Sequence, residues 1–190
     1  MRNHWLWLLG AVLLGGCADR MTWDEDVQLH DGSFITVKRA AERGPTGFPY
    51  QRRGALRWQS LDYPAADVHW RSDEVESLAS FDIVDGIPYL ITFKAVNREA
   101  FCVGKAAGTP IANFYRLAGG TQSAVRPEQV PMDRMRNNLS GMSHWAYSGD
   151  NPTHITWQRV LQLTNQEATG AQPIRELLKL EWLSCPRPNT

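Results

Sequence analysis

Net charge is the first thing this sequence lacks: twenty lysines and arginines balance twenty aspartates and glutamates over 190 residues. The basic residues are scattered. A nucleic-acid binder shows a basic patch or a high isoelectric point, so no nucleic-acid partner is expected. The doublet Arg52-Arg53 sits among Gly44, Pro45, Gly47, Pro49 and Gly54 and reads as a solvated loop. Lysine is scarce, four against sixteen arginines, which reads as genomic composition rather than chemistry. A long apolar run is also missing. The stretch from Trp5 to Leu14 covers ten residues, whereas a membrane-spanning helix needs about twenty. Catalytic signatures are absent too: no Gly-x-Ser-x-Gly, no His-Glu-x-x-His, no phosphate-cradling glycine loop and no clustered metal ligands. Neither a cofactor nor a metal is expected.

What is present begins at the N-terminus. Met1-Arg2-Asn3-His4 precedes the apolar run, and Gly15-Gly16-Cys17 follows it. A basic start, a short apolar stretch and small residues before a cut site compose a secretory signal. The alternative, a short buried helix of the folded domain, gains little from opening with Trp-Leu-Trp-Leu-Leu. Leu14-Gly15-Gly16-Cys17 resembles the lipobox of bacterial lipoproteins. That resemblance implies removal of residues 1–16, a diacylglyceryl thioether on Cys17 and a new amine open to acylation by a fatty acid such as palmitate. One acyl chain holds a protein marginally, while two or more give stable attachment. In enterobacterial lipoproteins an aspartate directly after the cysteine retains the protein in the inner membrane. Ala18 stands there and Asp19 follows, which favours the outer membrane, with the protein facing the periplasm. Residues 17–22 are expected as tether and residues 23–190 as one globular domain, long enough for a real core.

With Cys17 lipidated, Cys102 and Cys185 remain. An even count in an oxidising compartment argues for a disulfide. It would close a loop of roughly eighty residues, worth about 4 kcal/mol in the chain-entropy model, and pin the C-terminal tail onto a strand carrying Cys102. A redox pair or a thiol nucleophile is the alternative, but there is no Cys-x-x-Cys spacing and no histidine lies near either cysteine in sequence.

Three segments read as hairpins: Val27 to Val37 around Asp31-Gly32, Phe81 to Ile91 around Asp85-Gly86, and Asn113 to Thr121 around Gly119-Gly120. Asp-Gly and Gly-Gly supply the positive φ angles of a type I′ turn. Pro88 has no N–H to donate, so its arm is expected at an edge or at a bulge. Leu56-Arg57-Trp58 and Val68-His69-Trp70 read as further strands. The repeated apolar–Asp-Gly–apolar form hints at a propeller, but no third copy carries it and the chain is too short for four blades. Thr156 is placed to cap a helix over Trp157 to Leu163, and Pro173 to open a second from Ile174 to Trp182. Pro131 to Gly149 fits a short helix or a long loop. The expected fold is α+β: a mainly antiparallel β-sheet of five to eight strands, with two C-terminal helices packed on one face.

The segment Trp23-Asp24-Glu25-Asp26 before a strand–Asp-Gly–strand hairpin, and Asp82 to Leu90 in mid-chain, resemble a diffuse group of uncharacterised proteobacterial envelope proteins. The resemblance implies no catalytic residues. Candidate chemistry rests on Ser143-His144-Trp145, with Asp150 and His154 behind it. Neighbours in a chain rarely aim their side chains at one another, so Ser143 and His144 alone do not form a nucleophile–base pair. A His144–His154 metal pair lacks a carboxylate or thiolate beside it. Asp24, Glu25 and Asp26 lack the alternating ligands and glycine of a calcium loop. Six tryptophans follow Cys17: Trp23, Trp58, Trp70, Trp145, Trp157 and Trp182. Tryptophan is enriched at interfaces and sugar platforms, and Trp23 and Trp145 stand in the least regular neighbourhoods, where exposure would mark a binding surface. The expected function is a non-enzymatic envelope lipoprotein, held to a membrane by its lipid, with a protein or glycan partner. One concrete form would be an inhibitor of an incoming periplasmic toxin. The rivals are a small periplasmic hydrolase using His144 and a purely structural lipoprotein.

Overall fold

The computed structural model describes residues 19–44, 56–94, 97–141, 153–178 and 185. Cys17, Ser143, His144, Trp145, Asp150 and Trp182 lie outside them. The order of elements is β1 (Asp19–Gln28), β2 (Phe34–Arg43), β3 (Leu56–Tyr63), β4 (Val68–Ser72), β5 (Glu76–Val84), β6 (Ile87–Lys94), α1 (Arg98–Cys102), β7 (Ala112–Ala118), β8 (Thr121–Ala124), β9 (His154–Ile155), α2 (Trp157–Leu163) and α3 (Ile174–Leu178). The α+β expectation holds: antiparallel strands dominate and helices follow at the C-terminal end. The strands divide between two sheets, ordered β4-β3-β2-β1-β9 and β5-β6-β7-β8, and only the short β1–β9 pair among them is parallel.

The two sheets pack face to face because each presents an apolar row at period two. Val27, Val37, Leu61, Val68 and Trp70 of the first sheet meet Leu78, Phe81, Leu90, Tyr115 and Leu117 of the second. The second sheet is apolar on both faces. Its far side buries Ala79, Val84, Ile91 and Phe114 under Val130, Met135 and Ile174, so α3 and the segment before residue 136 cover it. Helix α2 instead serves the first sheet, with Val160 packed among Met21, Trp23, Ala41 and Ile155. Each C-terminal helix therefore closes a different sheet. Thr156 takes the N-cap position of α2 with an extended backbone but makes no side-chain cap bond.

Turn chemistry separates the hairpins. Asp85 and Gly86 both have positive φ, as do Gly119 and Gly120, and the flanking residues pair as Val84–Ile87 and Ala118–Thr121. Those are the two-residue turns expected. At the first hairpin only Gly32 has positive φ, and the Leu29 N–H bonds to Ser33 O across three residues. This is the longer loop that ends in a left-handed glycine. Pro88 is a correction: β6 is central, between β5 and β7. Ile83–Pro88 is the pair next to the turn-closing Val84–Ile87 pair, where backbone N–H groups point away from the partner strand. On its other side the β7 ladder starts at Tyr89, so no ladder bond is lost.

Strand β1 begins at Asp19, paired with Arg43, inside the stretch expected as tether. Met21 already belongs to the core behind α2, so burial draws the strand back toward Cys17. The Cys102–Cys185 disulfide is formed, with Cα atoms 5.3 Å apart. Cys102 ends helix α1 rather than lying on a strand, and Cys185 bonds through its backbone to Gly108 and Thr109.

Candidate functional site

Alternation along β1 to β4 sends one set of side chains into the core and the other to the opposite, outer face of the first sheet. Register aligns the outer set into rows: Arg20, Glu42 and Trp58; then Thr22, Ala40, Ser60 and Arg71; then Asp24, Lys38, Asp62 and His69. The small side chains of the middle row, Thr22, Ala40 and Ser60, leave a depression between charged flanks. A shallow groove of about 490 Å³ results, bounded by Arg20, Asp24, Lys38, Asp62 and Thr153 over Thr22, Ala40 and Ser60. That size falls within the range of small-ligand sites.

One end of this face is basic and aromatic. The guanidinium carbons of Arg20 and Arg71 lie 5.3 Å and 4.5 Å from the centre of the Trp58 ring. Trp58 is only 9% exposed although its strand position points outward. The other end carries paired polar groups: His69 Nδ1 lies 2.9 Å from Asp62 Oδ1, and His154 Nε2 lies 2.9 Å from Asp26 Oδ1. His154 thus sits on β9, exposed and bound to a carboxylate, with no serine or cysteine bonded to it among the described residues.

Beneath the groove, on the inner side of the same strands, Glu25 is fully buried. It accepts hydrogen bonds from Arg39 Nη1 (2.8 Å), Trp23 Nε1 (3.0 Å) and the Ser140 backbone N–H (2.5 Å). Arg39 stacks over the Trp23 ring at 5.1 Å. Burial lowers the Arg39 guanidinium below its usual pKa, and the Glu25 carboxylate opposes that shift. Its Nε and Nη2 make no hydrogen bond among the described residues. Trp23 is 5% exposed, so it does not present the exposed aromatic surface that was expected, although it borders the groove. Its odd position on β1 places it with Met21 in the core, and its N–H is used up on Glu25. Trp145, Ser143 and His144 fall outside the described residues, as does Cys17.

A second buried carboxylate, Glu76, accepts from the hydroxyls of Ser72 (3.0 Å), Tyr115 (3.1 Å) and Thr92. Burial first, and the Glu76 charge second, push the Tyr115 phenol well above its ordinary pKa. The arrangement keeps Tyr115 a neutral donor. No family model matches this chain, and neither the curated proteins nor the solved structures contain a match. Chemistry must therefore be read from the geometry. Among the described residues all three histidines, His30, His69 and His154, pair with an aspartate, and none touches a hydroxyl or a thiol. No group of three metal-binding side chains occurs among them either. The groove is not visible in the sequence because it depends on register across three strands. Its signal was the alternation Arg20-x-Thr22-x-Asp24 and Trp58-x-Ser60-x-Asp62.

Proposed function

We propose that this chain is a lipid-tethered envelope protein that binds a partner, without catalysing a reaction, through the outer face of its first sheet. The observation that carries the reading is the polar groove over Thr22, Ala40 and Ser60, walled by residues of both charges. The hydrolase alternative needs a nucleophile–base pair built on His144, which lies outside the described residues, while His30, His69 and His154 each pair with an aspartate. The lipobox ending at Cys17 supports the tether. Strand β1 starts two residues beyond that cysteine, and a chain spans at most about 3.6 Å per residue. The Arg20 end of the groove would then stand close to the bilayer.

In-cell photocrosslinking tests the reading. A crosslinking residue at Thr22 or Ser60 should capture one dominant partner, and the same residue at Ser123, on the second sheet, should not. Metabolic labelling with a palmitate analogue should mark the protein, and Cys17→Ala should abolish both the label and the capture. Equal, diffuse capture from both faces would sink the binding reading. A chain that never acquires lipid would sink the tether.

A further inference from the structure

We infer that the Trp58–Arg20–Arg71 cluster and the adjoining groove form a subsite for a saccharide bearing a carboxylate. The inference rests on the binding reading above and names the ligand class of that same face.

Three observations converge. Trp58 lies on the solvent side of β3, yet two guanidinium groups cover its ring at 5.3 Å and 4.5 Å. Both arginine side chains reach it from other strands, β1 and β4. Held against that covered ring, the two guanidinium groups present planar, forked donors that suit the carboxylate of a saccharide in bidentate fashion. Next to the cluster, the floor is small and hydroxyl-bearing at Thr22 and Ser60. Beyond it, Asp24 and Asp62 offer acceptors and Lys38 a donor, the complement that sugar hydroxyls require. Strands lie about 4.8 Å apart, so the face from β1 to β4 spans about 14 Å, room for a short oligosaccharide.

The cations have modest existing commitments. Arg71 contacts Asp73 at 3.3 Å with both side chains largely exposed, and such a pair contributes little and exchanges readily. Glu42, between Arg20 and Trp58 in the row, sits 3.7 Å from Arg57. A protein partner would look for an apolar anchor. Among the described residues the large exposed apolar side chains, Phe34, Val75 and Val103, lie outside the rows that form this groove. The face therefore suits a sugar better than a protein anchor.

The full chain, extracted in detergent, is titrated with N-acetylglucosaminyl-N-acetylmuramic acid, which carries a lactyl carboxylate, and with chitobiose, which has a similar skeleton without it. Calorimetry and tryptophan fluorescence are the readouts. The acidic disaccharide should bind at least tenfold more tightly than chitobiose, and Arg20→Gln or Arg71→Gln should erase that preference. Trp58→Ala, which removes the ring that holds both guanidinium groups, should weaken the acidic sugar more than chitobiose. Because it disturbs a covered ring, its folding is checked by circular dichroism, and the two exposed arginine variants carry the test if it unfolds. Arg116→Gln, on the second sheet, should leave both affinities unchanged. No saturable binding of either sugar, equal binding of both, or a preference that survives the arginine variants would overturn the inference. If crosslinking from Thr22 still captures a protein while neither sugar binds, the inference fails and the binding reading stands.

Discussion

His30 and Asp82, fifty-two residues apart, meet twice: the imidazole Nδ1 lies 2.8 Å from Oδ1, and the His30 backbone N–H donates to Oδ2 at 2.9 Å. The hairpin of the first sheet is thereby fastened to the edge strand of the second. On the other side of the ring, His30 Nε2 lies 2.9 Å from Arg134 Nη2. A guanidinium only donates, so Nε2 accepts, and the proton on Nδ1 is the one given to Asp82. Arg134 in turn holds Asp85 with both oxygens at 3.0 Å.

This pair has a testable pH dependence. Burial raises the Asp82 carboxyl above the ordinary aspartate pKa, and His30 offsets only part of that shift. A native pKa above the unfolded one means the native state holds the proton more tightly. The stability that Asp82 contributes is full below the ordinary aspartate value and is lost as pH rises through the higher native value. Asp82→Asn, an uncharged mimic of the protonated acid, removes that dependence. Urea unfolding of both proteins between about pH 3 and about pH 7 should show the wild type's advantage shrinking as pH rises. An advantage that grows instead would mean that the N–H donors around the carboxylate outweigh its desolvation.

Much of this architecture was legible in sequence because it is local. Asp85-Gly86 and Gly119-Gly120 carry their turn type in two residues, and alternation in Val68-His69-Trp70 marks a strand without reference to any partner. Long-range pairing is a different matter. Nothing near Trp23 in sequence says that odd positions of β1 face inward, since Thr22, Asp24 and Asp26 surround it with polar neighbours whichever way it points. Glu25 reads as one of three acids on a solvated strand, and only the arrival of Arg39, across the hairpin, makes its burial tolerable. The division into two sheets was hidden for the same reason. A break between β4 and β5 looks like any other short turn until the faces are assigned. The groove was least legible, being defined by side chains from three strands.

Glu25 and Arg39 should behave as an inseparable unit. Removing one partner of a buried ion pair strands the other charge, at a cost of about 3–5 kcal/mol, whereas replacing both with apolar residues is often near neutral. Glu25→Leu and Arg39→Met should each destabilise the protein by that order. The double variant should recover the part owed to the stranded charge but not the part owed to the Trp23 and Ser140 N–H groups, which still lose Glu25 as acceptor, and the double-mutant cycle should show a clear coupling energy. Additive losses, read from chemical denaturation, would show that the two side chains contribute independently of their contact.

The Cys102–Cys185 bridge joins residues 83 apart in sequence, so it restricts the unfolded chain over nearly half its length. Bridges of this kind contribute about 2–4 kcal/mol. A reductant should lower the urea midpoint by a corresponding amount, and Cys102→Ala should reproduce the loss and become insensitive to the reductant. Alkylation of the folded, unreduced protein should leave both sulfurs unmodified. A midpoint indifferent to reductant would place the tail's stability in the backbone bonds of Cys185 to Gly108 and Thr109 instead.

Asn138 joins the two sheets through their backbones. Its Oδ1 accepts the Phe81 N–H at 2.9 Å, while Nδ2 donates at 2.8 Å to the carbonyls of both Gln28 and Phe81. Its own N–H and that of Leu139 go to Ala79 O at 3.1 Å and 3.2 Å. Strand β5 is the edge of its sheet, and an edge left open exposes unpaired backbone groups. Asn138 fills that edge and ties it to the last residue of β1. Asn138→Ala should leave a buried N–H and two carbonyls short of partners, and each buried group left unmet costs about 1–3 kcal/mol. Partial relaxation makes about 2–5 kcal/mol the expected loss. Asn138→Asp should be no better, because a carboxylate faces two carbonyl oxygens with nothing to donate. Hydrogen exchange separates this account from a simple cavity effect: the Phe81 amide should lose protection in Asn138→Ala by more than the amides of the β6–β7 ladder. Uniform loss across both sheets would mean that Asn138 contributes packing rather than a bond between them.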